Sequence, residues 1–173
     1  VFAQETVSNF PNSSVIKEKA LVGWTEFQNK YGTDWKIRWH DYTDPTGATI
    51  DTGLPHSIYG SLTKPTAGKP EEVAESLISE NKDLFKIDLS ELKHIETTER
   101  KSIFYVKYTQ IYKNLPIEKS RFLVHMTNKG EIQSIDSRIY PGIKLSIVPK
   151  ITKEEALKIV KNDLEVTSSF DAA

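Results

Sequence analysis

Apolar positions along this chain switch between a period of two and a period of about 3.6, and each switch marks a new element. Residues 1–20 mix polar and apolar types without a sustained period and are expected to form a flexible leader. Lys36-Ile37-Arg38-Trp39 alternates as a half-buried strand does. Asp44-Pro45-Thr46-Gly47 reads as a turn, because Pro presets φ at the second position and Gly relieves the fourth. Ile58-Tyr59 is a further apolar pair, stopped by Gly60, and Lys64 to Gly68 breaks the pattern. A helix is expected from Pro70, with Glu71 and Glu72 in the first turn facing the positive end of the dipole. Val73, Leu77 and Ile78 recur at helical spacing, and Leu84-Phe85 closes the apolar face after Asn81.

From residue 92 the period returns to two. Leu92 to Ile95 is a short strand candidate. Over 102–112, Phe104, Val106 and Tyr108 share one face, with Ile103, Tyr105 and Lys107 on the other. Phe122, Val124 and Met126 continue a second strand whose opposite face carries Arg121, Leu123 and His125. Asn114-Leu115-Pro116 and Asn128-Lys129-Gly130 supply the turns, and Ile132 and Ile135 belong to a third strand ending near Pro141-Gly142. The pattern predicts an α+β fold, an antiparallel meander sheet packed on one main helix, with its core over residues 35–142. Val148-Pro149 then reads as a linker, and Thr152 to Glu155 as a capping box opening a helix with Ala156, Leu157, Val160 and Leu164 on one stripe. The expected organisation is a leader at 1–20, a domain at 21–147, and a linker plus the first helix of a truncated second unit at 148–173.

Composition removes several classes of function. The 23 Lys and Arg nearly balance the 24 Asp and Glu and interleave with them, unlike the one-signed stripe a phosphate backbone demands, so no nucleic-acid partner is expected. The absence of cysteine excludes disulfides, thiolate zinc sites and cysteine nucleophiles together. No apolar run is long enough to cross a bilayer as a helix, and a monomer without membrane contact is expected. Val1 and Ala3, followed by Gln4, fit the −3 and −1 positions of a signal-peptidase site and point to export. Asn12-Ser13-Ser14 is a formal glycosylation sequon.

Candidate chemistry is sparse. His40, His56, His94 and His125 are far apart and none sits in an HExxH spacing. His125, in mid-strand, has the best claim to a role, although a strand-face histidine needs only a hydrogen-bond partner. Asp41, Asp44 and Asp51 resemble a calcium loop only superficially, since Pro45 interrupts the ligand spacing. Glu71-Glu72 and Glu154-Glu155 belong to first turns of helices. Trp24, Phe27, Trp35 and Trp39 could form a carbohydrate platform, but their spacing favours packing over a sheet. No GxSxG elbow, P-loop or GxGxxG occurs. No catalytic residue, metal ligand or cofactor site is expected, and the chain reads as a non-enzyme.

Residues 102–136 carry a specific resemblance. The run Val106-Lys107-Tyr108-Thr109-Gln110-Ile111-Tyr112-Lys113-Asn114-Leu115-Pro116-Ile117 resembles the strand-turn-strand "V-x-Y-x-Q-x-Y-x-G-x-P-V" of the fungalysin/thermolysin propeptide (FTP) domain. Phe122 to Met126, then Asn128 to Ile132, are similar to that family's following hairpin, and Thr52 to Gly60 to its upstream "tGtP" element. Pro149 to Leu157 resembles the opening of a PepSY domain. Asn114 stands where the family has Gly, a mild change because Asn tolerates the left-handed region, and Glu118 stands where an apolar residue is usual.

The resemblance implies a cystatin-like roll in the pro-region of a secreted, thermolysin-like zinc metalloprotease. It implies a double role, as intramolecular chaperone and as inhibitor, with the cognate catalytic domain as partner in cis. It assigns no protease-contacting residue, and the cut PepSY unit implies weak inhibition. The competing expectation is a stand-alone cystatin-like binding or adhesion module of a secreted multidomain protein.

Overall fold

Residues 13–43 and 49–163 are described by the computed structural model, and their contacts divide the chain at Ile143/Lys144 into two units. The first contains α1 (Ser13–Tyr31), β1 (Lys36–Thr43), β2 (Thr49–Tyr59), α2 (Pro70–Glu80), the short α3 (Lys82–Phe85) and a 3-10 turn at Leu89–Glu91. It continues with β3 (Leu92–Arg100), β4 (Ile103–Tyr112), the two-residue β5 (Leu115–Pro116), β6 (Arg121–Thr127) and β7 (Ile132–Arg138). The second unit holds α4 (Lys153–Asp163). The strands run in the order β1-β2-β7-β6-β4-β3, with β5 hung on β4, and every pairing is antiparallel. With helices packed on one face of this sheet, the first unit is a cystatin-like α+β roll.

Period-two alternation fixes which face is buried, and register then aligns the buried positions. Ile37 faces Ile58, Ile58 faces Ile135, Ile135 faces Val124, and Val124 faces Val106, so one apolar row crosses five strands. At the sheet edge the row ends on Thr97 of β3. Phe122, Tyr108 and Met126 extend the same face, and Val73, Leu77, Ile78, Leu84 and Phe85 cover it. Phe85 meets Phe122 edge to face, ring centroids 4.9 Å apart.

Helix α1 departs from the expected leader. The 20/21 boundary falls inside a helix, and the core begins at Ala20 rather than near residue 35. Ala20, Trp24, Phe27 and Tyr31 recur at i+3 and i+4 spacing on the buried side. Phe27 is fully buried, stacks on Trp24 at 5.5 Å and meets Trp35 edge to face at 5.5 Å. The aromatic segment therefore packs into the core, with Trp39 partly buried against it. The sheet thus carries two main helices where the sequence pattern indicated one. Gly23 makes this possible: a Cβ there would lie 2.7 Å from the Leu84 backbone nitrogen and 2.9 Å from its Cα. The turn expected at residues 44–47, the sites at Val1, Ala3 and Asn12, and Leu164 of the helical stripe lie outside the described residues.

The turns follow their residues. Lys113 and Asn114 take positive φ between the paired residues Tyr112 and Leu115, one step earlier than the Asn114-Leu115-Pro116 reading. Gly130 has φ +71° where the chain passes against Thr66, whose backbone leaves no room for a Cβ. Gln110, 2% exposed, closes the far corner: its Nε2 donates to Tyr140 O at 2.9 Å and its Oε1 accepts from Tyr140 N at 2.8 Å. In the second unit the capping box forms as expected, Thr152 N donating to Glu155 at 2.8 Å and Glu155 N to Thr152 Oγ1 at 3.1 Å.

Two substitutions test this packing. Gly23→Ala should lower stability by about 1–3 kcal/mol through overpacking, although helix propensity alone favours Ala by about 1 kcal/mol. A denaturant midpoint that stays or rises would show that α1 is not held against α3. Gln110→Leu should cost about 1–3 kcal/mol, because both Tyr140 backbone groups lose their partner. Thermal unfolding of that variant within a degree of wild type would refute the anchor.

Candidate functional site

One face of the sheet is committed to the core; the other carries Lys107, Arg121, His125, Asp136 and Arg138. Alternation places Tyr59, Ser134, His125 and Tyr105 in one cross-strand row, and Arg38, Ser57, Asp136, Leu123, Lys107 and Glu96 in the next. Arg121 lies directly opposite Arg138 on the same face. The face has a hollow of about 760 Å³, lined by Tyr59, Leu62, His125, Gln133 and Ser134.

His125 is the centre of this arrangement. Its Nδ1 is 2.9 Å from Ser134 Oγ, its ring stands 4.7 Å from that of Tyr105, and its Nε2 lies 3.8 Å from Asp136 Oδ2. Serine and aspartate on opposite ring nitrogens give the composition of a nucleophilic triad, but the geometry falls short of one. At 3.8 Å Asp136 is beyond hydrogen-bond range and does not orient the ring, and the buried Nε2 has no partner. Burial lowers the His125 pKa, Arg121 lowers it further, and Asp136 only opposes them. A neutral, weakly basic imidazole holding a strand-face serine is what the environment favours.

The other histidines separate into two places. His40 and His56 meet across β1 and β2 with ring centroids 5.6 Å apart, and each has a buried Nδ1 without a partner. Burial, then Arg38 and His40, lower the His56 pKa. His94 sits apart, its Nε2 2.9 Å from Thr97 Oγ1 and its ring 5.5 Å from Tyr108. No group of three His, Asp or Glu side chains converges as a metal site among the described residues. Asp41 and Asp51 lie opposite one another in the β1–β2 hairpin, while Asp44 is outside the described residues. Thr97 and the neighbouring backbone pull Glu71 below the usual carboxylate range. Glu72 accepts from Lys69 N at 3.0 Å, and Glu155 caps α4, so these carboxylates serve helix starts.

Ser134, Asp136, Arg121 and Arg138 were not candidates in the sequence, although alternation puts each opposite a core position. Strand periodicity was the available signal; which of them would meet depended on register. No helix among the described residues is long and apolar enough to cross a membrane. No family model matches the chain. Among solved structures it is similar to the Bacillus megaterium YpeB C-terminal domain, at 15% identity over 86% of this chain and 74% of that one, with a TM-score of 0.44. That likeness is too distant to transfer a property from one protein to the other.

The histidines predict a pH response whose sign is definite. His56 and His125 have folded pKa values below the ordinary 6.5, so below that pH the unfolded chain takes up protons first. Their contribution to stability is present above pH 6.5 and is lost as pH falls towards the folded values. The denaturant midpoint should hold from about pH 8 to 7 and decline between about pH 6.5 and 5, above the range where Glu71 and Glu80 titrate. The double variant His56→Gln/His125→Gln should show a shallower decline; a slope equal to wild type would remove these two groups as its cause.

Proposed function

We propose that this chain is a non-catalytic regulatory module that acts by binding a protein partner, as the pro-region of an exported thermolysin-like zinc metalloprotease. The partner is the catalytic domain of the same precursor, which the module helps to fold and, by itself, inhibits only weakly. One observation carries the reading: the residues of the FTP-like resemblance hold the fold together. Val106, Tyr108, Phe122, Val124 and Met126 fill the helix-covered face, and Gln110 anchors Tyr140. Asn114, in place of the family's Gly, takes φ +67° in the turn that needs it. These residues support the fold that the resemblance implies, and the functional reading rests on that analogy.

Physical chemistry gives the chaperone role a scale. A surface that binds a compact folding intermediate, present at about ten times its Kd, stabilises that state by about 1.4 kcal/mol, or roughly tenfold in population. Inhibition demands more, because a segment must occupy the catalytic cleft. The two activities should therefore separate. Added in trans, the chain should raise the yield of active enzyme from a denatured thermolysin-type catalytic domain, and leave the specific activity of folded enzyme unchanged. An unrelated cystatin-like domain serves as control. Recovery no better than the control would remove the chaperone role; block of folded enzyme at nanomolar concentration would show that this chain reaches the cleft.

A further inference from the structure

The sheet face away from α1 to α3 sets like charges side by side. Arg121 and Arg138 are direct cross-strand neighbours, both exposed, and like charges in that position oppose strand pairing. The ion pairs and histidine contacts among the described residues join Lys30 to Glu80, Lys107 to Glu96 and His125 to Asp136, leaving both guanidinium groups without a carboxylate. Lys93 on β3 and Arg38 on β1 extend the positive run to the two edges of the sheet. Arg38 and Arg138 lower the His56 pKa and Arg121 lowers that of His125, while Asp136 opposes them at both histidines. Arg38, Lys93, Arg121 and Arg138 thus share one face of a chain whose net charge is −1, and the direct arginine pair comes at a cost to its own sheet.

We propose that this face is a docking surface for a carboxylate-rich protein surface, with the Arg121–Arg138 pair at the centre of the contact. The proposal rests on the reading of the chain as a protein-binding module and names where it binds and what it selects. Guanidinium groups receive carboxylates in paired hydrogen bonds, and two adjacent forks define a preferred orientation for an acidic partner. The face also presents Leu123, Ser57 and Thr109 between the charges, and Asp136 repels anions locally. That mixture suits a protein surface of alternating character and disfavours a uniform polyanion. Charge complementarity of this kind also speeds encounter and makes it salt-dependent.

The experiment titrates the ¹⁵N-labelled full chain with a synthetic peptide of alternating Glu and Thr, against a Lys-Thr peptide as control. Shift changes should be confined to β6, β7 and their neighbours on this face, and should weaken with salt. Arg138→Glu should reduce affinity at least about tenfold while raising the thermal midpoint, because it replaces the repulsive pair with an attractive one. Arg121→Gln should weaken binding in the same direction. Lost binding together with gained stability is a combination a purely structural residue does not give. Equal affinity in wild type and Arg138→Glu, or shifts centred on α2, would overturn the proposal. Tighter binding of a DNA duplex or a heparin fragment than of the acidic peptide would overturn the partner class. The titration uses no protease, so a failed refolding assay leaves it standing, and its own failure removes this surface without touching the refolding result.

Discussion

The apolar row Ile37–Ile58–Ile135–Val124–Val106 is the constraint from which the rest of the first unit follows. Because strand side chains alternate, slipping any one strand by a residue would expose its member of the row and bring an outward-facing neighbour, such as Arg38, Lys107 or Asp136, towards the core. Register is therefore over-determined, and so is everything register places on the opposite face. The narrowest link is β2 to β7, where only Ser57 to Tyr59 pair with Ser134 to Asp136. Helix α1 compensates by packing over β2 and bringing Phe27 into the core beside Ile58. Its close approach through Gly23 is thus a condition for keeping the β1–β2 hairpin on the sheet.

One-sided burial also decides what kind of function the unit can have. Each position committed to the core leaves its neighbours facing away from the helices, and there they are Arg38, Asp136, His125, Arg121 and Arg138. Their arrangement is a by-product of alternation until something selects which residues occupy it. The Arg121–Arg138 juxtaposition is one that pairing alone disfavours. The histidines are different in kind. Burial lowers the pKa of His125, so this histidine softens the face rather than charging it near neutral pH.

Much of this fold was legible in the chain because α2, β4 and β6 keep strict periods. Pro70 at the start of α2, Gly130 in its turn and the Thr152–Glu155 box on α4 each took the role their chemistry suggests. Helix α1 was not legible. Leu21 and Val22 are 44% and 57% exposed on its outer side, which blurs the stripe of Ala20, Trp24, Phe27 and Tyr31. Gly23 reads as a helix breaker until the Leu84 backbone beside it is known. Strand β2 was hidden by Gly53 and Pro55, which a strand tolerates here because Pro55 sits at a register shift and outside the short ladder to β7. The site was legible only as alternation. That His40 meets His56, or Arg121 meets Arg138, follows from hairpin register, which depends on bulges at Arg38–Asp41 and His125/Met126 that the alternation does not reveal.

The dimensions of the face bear on the class of partner. Six strands spaced by about 4.8 Å span roughly 24 Å, and strands of about seven residues run a similar length. Such a surface offers several hundred Å², approaching the roughly 800 Å² that each partner contributes to a stable protein interface. Its features are spread at that scale: Arg38 lies near one edge, Lys93 and Glu96 near the other, and the His125 hollow between. A small ligand would engage only a fraction of them, such as the His125–Ser134–Asp136 cluster. A protein laid across the strands could meet the arginines and the hollow together. Specificity would then come from matching charge over the whole face, and affinity from the area that match brings into contact. The same rigid register that buries the apolar row would hold the recognition pattern in place before the partner arrives, so little ordering entropy is lost on binding.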